Sequence, residues 1–205
     1  MKLPEAAGLA LAFVARLVTG AQGHWHGSTP KAEQRIYFAN HQSHFDWVLI
    51  WAALPHDLRA VTRPIAARDY WTASPLKHWI TREIFNAVYV SRQRSDDEDP
   101  LEPLMEALRH GDSLVIFPEG TRGHAAEPAP FKSGLYALAQ AFPEVQLIPA
   151  WIDNVQRVMP KGEVVPVPIL CTVTFGAPIA LQADEARRTF LDRARRAVVA
   201  LREVV

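Results

Sequence analysis

The sequence predicts an α/β fold: a single domain with a mixed, largely parallel sheet flanked by helices. Three observations predict it. Residues 113–117 (SLVIF) form an unbroken apolar run of strand length, the kind buried on both faces of a parallel sheet. Similar short runs alternate with helical patterns along most of the chain, as they do when strands are joined by crossover helices. The chain has 205 residues, 49% of them hydrophobic. That is enough for one substantial core, and no repeat or long linker divides it.

The elements follow in order. His24 and His26 flank Trp25 on one face of a short strand. Residues 35–39 (RIYFA) read as a buried strand. Ser43 is placed to cap a helix, with Asp46 three residues on as in a capping box, and 47–54 continues that helix. A strand is expected over 60–66, a helix over 75–85 and a strand over 87–91 (AVYVS). Residues 101–110 are amphipathic and helical, with Gly111 just past the helix end. The strand 113–117, a helix over 132–142 and strands over 146–152 and 169–175 come next. A helix over 184–204 closes the chain. Residues 154–168 hold three prolines and a Lys-Gly pair and read as a long surface loop.

Lysine plus arginine and aspartate plus glutamate each number 22, so the charge balance does not point to nucleic acid. The acidic run over 91–106 and the arginines at 187–196 read as solvated faces. Cys171 is the one cysteine. It excludes an intramolecular disulfide and suggests a reducing compartment. Residues 6–21 are strongly apolar, yet shorter than the roughly 20 residues that span a bilayer, and they include Arg16. A signal peptide would join Lys2 to this run, but no small-x-small cleavage site follows. A helix in the membrane interface with Arg16 snorkelling to the headgroups is expected; a helix packed on the domain is the alternative. The division expected is 1–22 as anchor and 23–205 as the working domain. The placement expected is peripheral or monotopic, at the cytoplasmic face of the cell membrane.

Two motifs carry chemistry: NHQSHFDW at 40–47 and FPEGTR at 117–122. Each leaves an apolar strand, and carboxyl ends of strands are where α/β sheets place their sites. Imidazole titrates near neutrality, so His41 can take a proton from an alcohol. It does so best when Asp46 holds its other nitrogen. The plainer alternative is that Asp46 only caps a helix and His41 is a packed polar group. In the second motif Gly120 permits a tight turn with exposed N–H groups, Thr121 adds a hydroxyl, and Arg122 offers a planar fork for phosphate. Glu119 either pairs with an arginine or organises the turn. Alone, this is a structural turn with a surface arginine. With the first motif about seventy residues upstream, it supplies what acyl transfer to a phosphorylated alcohol requires. His44 either lines the site or is structural. His41, His44 and Asp46 as metal ligands would make a hydrolase, but HExxH and a cysteine pair are both lacking, and no metal is expected. Trp47 and Trp51 share a helix face and read as core.

These residues resemble the glycerolipid acyltransferases, typified by the lysophosphatidic acid acyltransferases. The first block of that family, NHxSxxD, is matched by Asn40 to Asp46. The third, FPEGTRS, is matched by Phe117 to Gly123 apart from its last residue. Phe131-Lys132-Ser133-Gly134 corresponds to the phenylalanine-lysine-x-glycine that follows, and Leu147-Ile148-Pro149-Ala150 is similar to the fourth block. Pro160-Lys161-Gly162, leading to Phe175-Gly176, looks like the C-terminal region. The likeness runs from about Gly23 to Ile179. It departs in the second block, where Asn86 stands in place of glycine ahead of Arg92; asparagine tolerates left-handed geometry.

The resemblance implies a glycerol-3-phosphate acyltransferase-like fold and an O-acyltransferase of phospholipid biosynthesis. His41 would be general base and Asp46 its orienting partner. Arg92 and Arg122 would hold the acceptor phosphate with Thr121, Glu119 and Gly120 of the same turn would belong to the substrate-binding set, and either Arg63 or Arg68 would add a contact, with Arg68 the expected one. The donor would be acyl-CoA or acyl-acyl carrier protein as co-substrate, without a further cofactor. Lysophosphatidate is the default acceptor; glycerol-3-phosphate or another lyso-lipid is the alternative. The membrane surface is the expected partner. No nucleophilic serine is needed, and no Gly-x-Ser-x-Gly elbow is present. A non-catalytic lipid-binding module would share the fold, but the intact His41/Asp46 pair argues against it.

Overall fold

The computed structural model describes residues 7, 8, 10, 13, 22–43, 45–91, 99–123, 125, 127–153 and 171–204. The strands are β1 (Gln22–Trp25), β2 (Arg35–Ala39), β3 (Thr62–Ala67), β4 (Val88–Val90), β5 (Ser113–Ile116), β6 (Gln146–Ile152) and β7 (Thr172–Phe175). They form one sheet in the order β1-β7-β6-β2-β5-β3-β4. From β6 across to β4 all neighbours are parallel. β7 runs antiparallel to β6, with β1 parallel beside it. The sheet is mixed and largely parallel, as expected.

The helices are α1 (Asp46–Ala53), α2 (His56–Ala60), α3 (Arg68–Trp71), α4 (Pro75–Trp79), α5 (Glu102–Arg109), α6 (Gly134–Ala141) and α7 (Arg187–Ala200). Period-two alternation sends the side chains of β2 to two separate cores. Tyr37 and Ala39 meet Trp47, Ile50 and Trp51 of α1 and Phe175 of β7. Ile36 and Phe38 meet Leu104 of α5, Leu135 and Leu138 of α6, and Phe190 of α7. Every residue of β2 and β5 is buried, which is why both read as apolar runs after their first residues, Arg35 and Ser113. Each large side chain fully buried here is worth about 1.5–3 kcal/mol.

Turn chemistry sets most element ends. Gly111 has φ +85. Its N–H donates to Leu108 O at 3.0 Å, and that of Asp112 donates to Ala107 O at 3.1 Å. This is the Schellman pattern. Gln34 Nε2 adds bonds to Leu108 O at 2.6 Å and Asp112 O at 2.9 Å, tying the end of α5 to the strand β2 behind it. Asn86 takes φ +47, so asparagine does supply the turn where the resembling family has glycine.

Four expectations change. Ser43 does not cap α1: the N-cap is Phe45, with no side-chain cap bond. Ser43 Oγ instead accepts from Phe45 N–H at 3.2 Å, while Asp46 reaches back to Ser43 N–H at 2.9 Å. The helix expected over 75–85 is α4 followed by a π-helical turn, Ile80–Ile84. Buried Thr81 drives the change: its hydroxyl bonds Lys77 O at 2.9 Å and the Tyr89 hydroxyl at 2.6 Å, and such back-bonding loosens a helix. α2 occupies 56–60, so the strand expected from 60 starts at Thr62. The last helix begins at Arg187 and ends in a 3-10 turn, Leu201–Glu203.

The loop expected over 154–168, residues 92–98 of the acidic run and most of 1–21 lie outside the described residues. Ala7, Gly8, Ala10 and Phe13 are helical, and Gly8 is buried, with Ile84 and Trp51 as its neighbours. No helix among the described residues is long and apolar enough to cross a membrane.

Candidate active site

β2 and β5 are neighbours, with Phe38 opposite Ile116. The chain leaves both strands at the same edge, so His41 and the turn after Phe117 emerge side by side. The connection from β2 runs toward β3 and that from β5 toward β6, which lies on the other side of β2. This reversal opens a crevice at the carboxyl ends of the strands. Proximity of the two motifs is thus a product of sheet topology.

His41 Nδ1 lies 2.8 Å from Asp46 Oδ2. A carboxylate only accepts, so the proton sits on Nδ1 and Nε2 is the nitrogen left for a substrate. Asp46 is fully buried, while the His41 side chain is 20% exposed. The same Oδ2 accepts Gln42 N–H at 2.6 Å and Ser43 N–H at 2.9 Å. Asp46 is therefore fixed by the backbone of the loop it orients, and it reaches there because it opens α1. Phe117 stacks on the imidazole, centroids 4.2 Å apart and planes at 14°.

Glu119 joins the two motifs. It is 3% exposed. Its Oε1 accepts His41 N–H at 2.7 Å and its Oε2 accepts Ala129 N–H at 2.7 Å. Gly123 N–H donates to His41 O at 2.8 Å. Both backbone polar groups of His41 are therefore held by the second motif. Of the two roles the sequence leaves open for Glu119, this geometry is that of organising the turn.

Gly120 has φ +68, and a Cβ there would come within 2.6 Å of Lys132 Nζ. The lysine lies across the glycine, anchored by its N–H to Pro118 O at 2.9 Å. Thr121 and Arg122 stand exposed on this turn. Arg68 is exposed at the start of α3, directly after β3 and so at the same edge. Arg63 is not: it is the second residue of β3, near the far edge, bound to Asp112 at 2.8 Å and to Asn86 O at 2.7 Å. Arg92 and His44 lie outside the described residues; β4 ends at Val90, on the His41 edge. Among the described residues no group of three or more His, Cys, Asp and Glu is gathered as a metal would need.

Sequence reasoning missed three contributors, two inside the motifs and one, Lys132, in the Phe-Lys-x-Gly stretch that follows the second. Asn40 bridges to β6, its Nδ2 donating to Ile152 O at 3.0 Å and its Oδ1 accepting Ile152 N–H at 2.8 Å. Phe117 supplies the stacking face, and Lys132 lies over the turn. Their presence in these stretches was the available signal; their partners were not readable.

Residues 24–153 match the family model described as Acyltransferase. The chain belongs to this family. Similar members include the 1-acyl-sn-glycerol-3-phosphate acyltransferases alpha of Mus musculus, 34% identical over 65% of this chain and 45% of that one, and of Homo sapiens, 33% identical over 65% and 46%. The 1-acyl-sn-glycerol-3-phosphate acyltransferase of Cocos nucifera is 31% identical over 75% and 48%. The chain thus spans a little under half the length of these relatives. The crystal structure of a 1-acyl-sn-glycerophosphate acyltransferase from Thermotoga maritima aligns with a TM-score of 0.71 at 22% identity, covering 96% of this chain and 79% of that one. The two share the family's α/β fold.

Proposed function

We propose that the protein transfers a fatty acyl group from acyl-CoA or acyl-acyl carrier protein to the free hydroxyl of lysophosphatidate, forming phosphatidate. The observation that carries this reading is the His41–Asp46 pair beside the Thr121-Arg122 turn, the two loops bound together through Glu119. His41 Nε2 takes the hydroxyl proton as the oxygen attacks the thioester carbonyl. The C–S bond breaks, a C–O ester bond forms, and the imidazolium returns the proton to the departing thiolate. Asp46 stabilises the imidazolium and fixes its tautomer. Arg122, Thr121, Arg68 and Arg92 hold the acceptor phosphate, and such clamps accelerate reaction chiefly by positioning. Arg63, engaged at the far edge, is left out of this set.

In this reading residues 1–22 anchor a domain formed by 23–205 at the cytoplasmic membrane surface. Exposed Phe45, Tyr70, Leu76 and Trp79 support that orientation, since they sit on segments leaving the carboxyl ends of β2 and β3. The test is an acceptor panel (lysophosphatidate, glycerol-3-phosphate and other lyso-lipids) assayed with both donor types, products identified by mass. Phosphatidate formation is expected; a different acylated product would reassign the acceptor, and no transfer would end the proposal.

A further inference from the structure

The opposite edge of the sheet holds a cavity of about 430 Å³, lined by Ser28, Thr29, Lys31, Glu33, Arg35 and Gln146 among others. Arg35 and Gln146 open β2 and β6. Six residues at about 3.3 Å each put Arg35 roughly 20 Å from His41.

Arg35 is the unusual member. It is 1% exposed, and a buried guanidinium needs its charge and its N–H groups matched. Its Nη2 has one ion pair, to Glu33 Oε2, at 3.3 Å, and the Glu33 side chain is 42% exposed. Its buried Nε and Nη1 have no hydrogen-bond partner, and neither does the buried Ser28 hydroxyl. The Trp25 ring, 5.8 Å from the guanidinium carbon, covers the cation but accepts no proper hydrogen bond. The neighbouring Tyr37 is a neutral partner that does not balance the charge: burial pushes its phenol pKa up, and the Arg35 charge and a side-chain interaction of its hydroxyl with the guanidinium pull it back only in part. Two cations and one carboxylate line the cavity, leaving one positive charge unmatched. Buried donors in this state call for an explanation, and a bound ion is one.

We propose that this cavity is an anion-binding site separate from the His41 site, and that it takes a phosphate group. Arg35 supplies two buried N–H donors, Lys31 an exposed ammonium, and Ser28 and Thr29 hydroxyls. A tetrahedral anion with several acceptor oxygens satisfies donors that converge from separate segments. Free phosphate and a phosphomonoester headgroup share this chemistry.

The test titrates the whole protein with inorganic phosphate at constant ionic strength, following melting temperature and tryptophan fluorescence. A saturable rise in melting temperature is expected. Lys31→Met is expected to weaken it on the order of tenfold, a charged hydrogen bond's worth, and Arg35→Met to abolish it. The response should persist in Arg122→Ala, which separates it from the acceptor site of the proposed reaction. Lys31→Met, on an exposed loop, and Ser28→Ala decide the matter if Arg35→Met fails to fold. An equal response in all these variants, a response lost in Arg122→Ala, or no response at all overturns the proposal. Flotation with phosphatidylcholine vesicles, with and without phosphatidate, then names the source. Lys31-dependent capture by phosphatidate assigns a headgroup, and phosphate binding without such capture assigns a soluble anion. The outcome does not depend on whether the chain has acyltransferase activity.

Discussion

At the carboxyl ends of β2 and β5, charged side chains are held by backbone. Asp46 takes two N–H groups besides the imidazole, and Glu119 takes two more. At the amino ends of β3 and β5, and in the turn leading to α7, charged side chains hold each other: Arg63 pairs with Asp112, and Arg193 pairs with Glu185 at 2.6 Å. The difference explains which edge is free to do chemistry. A backbone-held carboxylate fixes a loop without occupying the side chains proposed to meet substrate, so the imidazole Nε2 and the Arg122 fork remain available to it. A side-chain pair spends its donors on stability. Substitutions on the two edges should therefore separate activity from stability.

The sharpest break of that comparison is His41→Ala. It should lower turnover by about 10²–10⁴-fold, the range for a lost general base, with the melting temperature little changed; near-normal rates would remove His41 from the chemistry. Asp46→Asn comes next. It should cost about 10²-fold or more in turnover through loss of the tautomer and imidazolium support, together with roughly 1–3 kcal/mol of stability from a buried acceptor no longer matched to its donors. Loss of stability with normal turnover would leave Asp46 as a capping residue alone. Arg122→Ala should raise the acceptor KM on the order of tenfold, a charge-assisted hydrogen bond's worth, without altering thermal unfolding. An unchanged KM and kcat would take it out of the site.

On the other edge the order inverts. Arg63→Met should reduce stability by roughly 1–2 kcal/mol, as a lost partly buried charged bond does, while steady-state rates hold; a fall in acceptor affinity would return Arg63 to the phosphate set. The smallest effect expected is acid-dependent. Arg193 holds the Glu185 carboxyl below its ordinary value. The pair therefore contributes stability above the unfolded-state pKa of about 4.3, and that contribution is lost as pH falls through the lower folded value. Melting curves of wild type and Arg193→Ala should be separated at pH 6 and converge as pH drops below about 4. A constant separation down to pH 3 would deny the linkage.

Much of this was legible in the sequence, for physical reasons. β6 was legible at 146–152 because every residue after Gln146 is apolar and buried. The His41–Asp46 contact was legible because one short loop joins the imidazole to the first residue of α1, so that spacing and geometry are nearly the same statement. Gly111 and Asn86 were legible because a left-handed residue restricts composition. Glu119 was not settled: its partners, His41 and Ala129, are set by the pairing of β2 with β5, and nothing in FPEGTR names them. The π turn at Ile80 escaped because the Tyr89 hydroxyl that draws Thr81 away arrives from the next strand. The capping box misled because Asp46 does bond Ser43 N–H, as a capping residue would, while its main partner is the imidazole.

The bonds from His41 and Gly123 across the two loops have a further consequence. They tie the His41 backbone to the neighbouring turn, so neither loop can drift without dragging the other. Arg68, at the exit of β3, stands outside that tie, so a change there leaves the two bonded loops as they are.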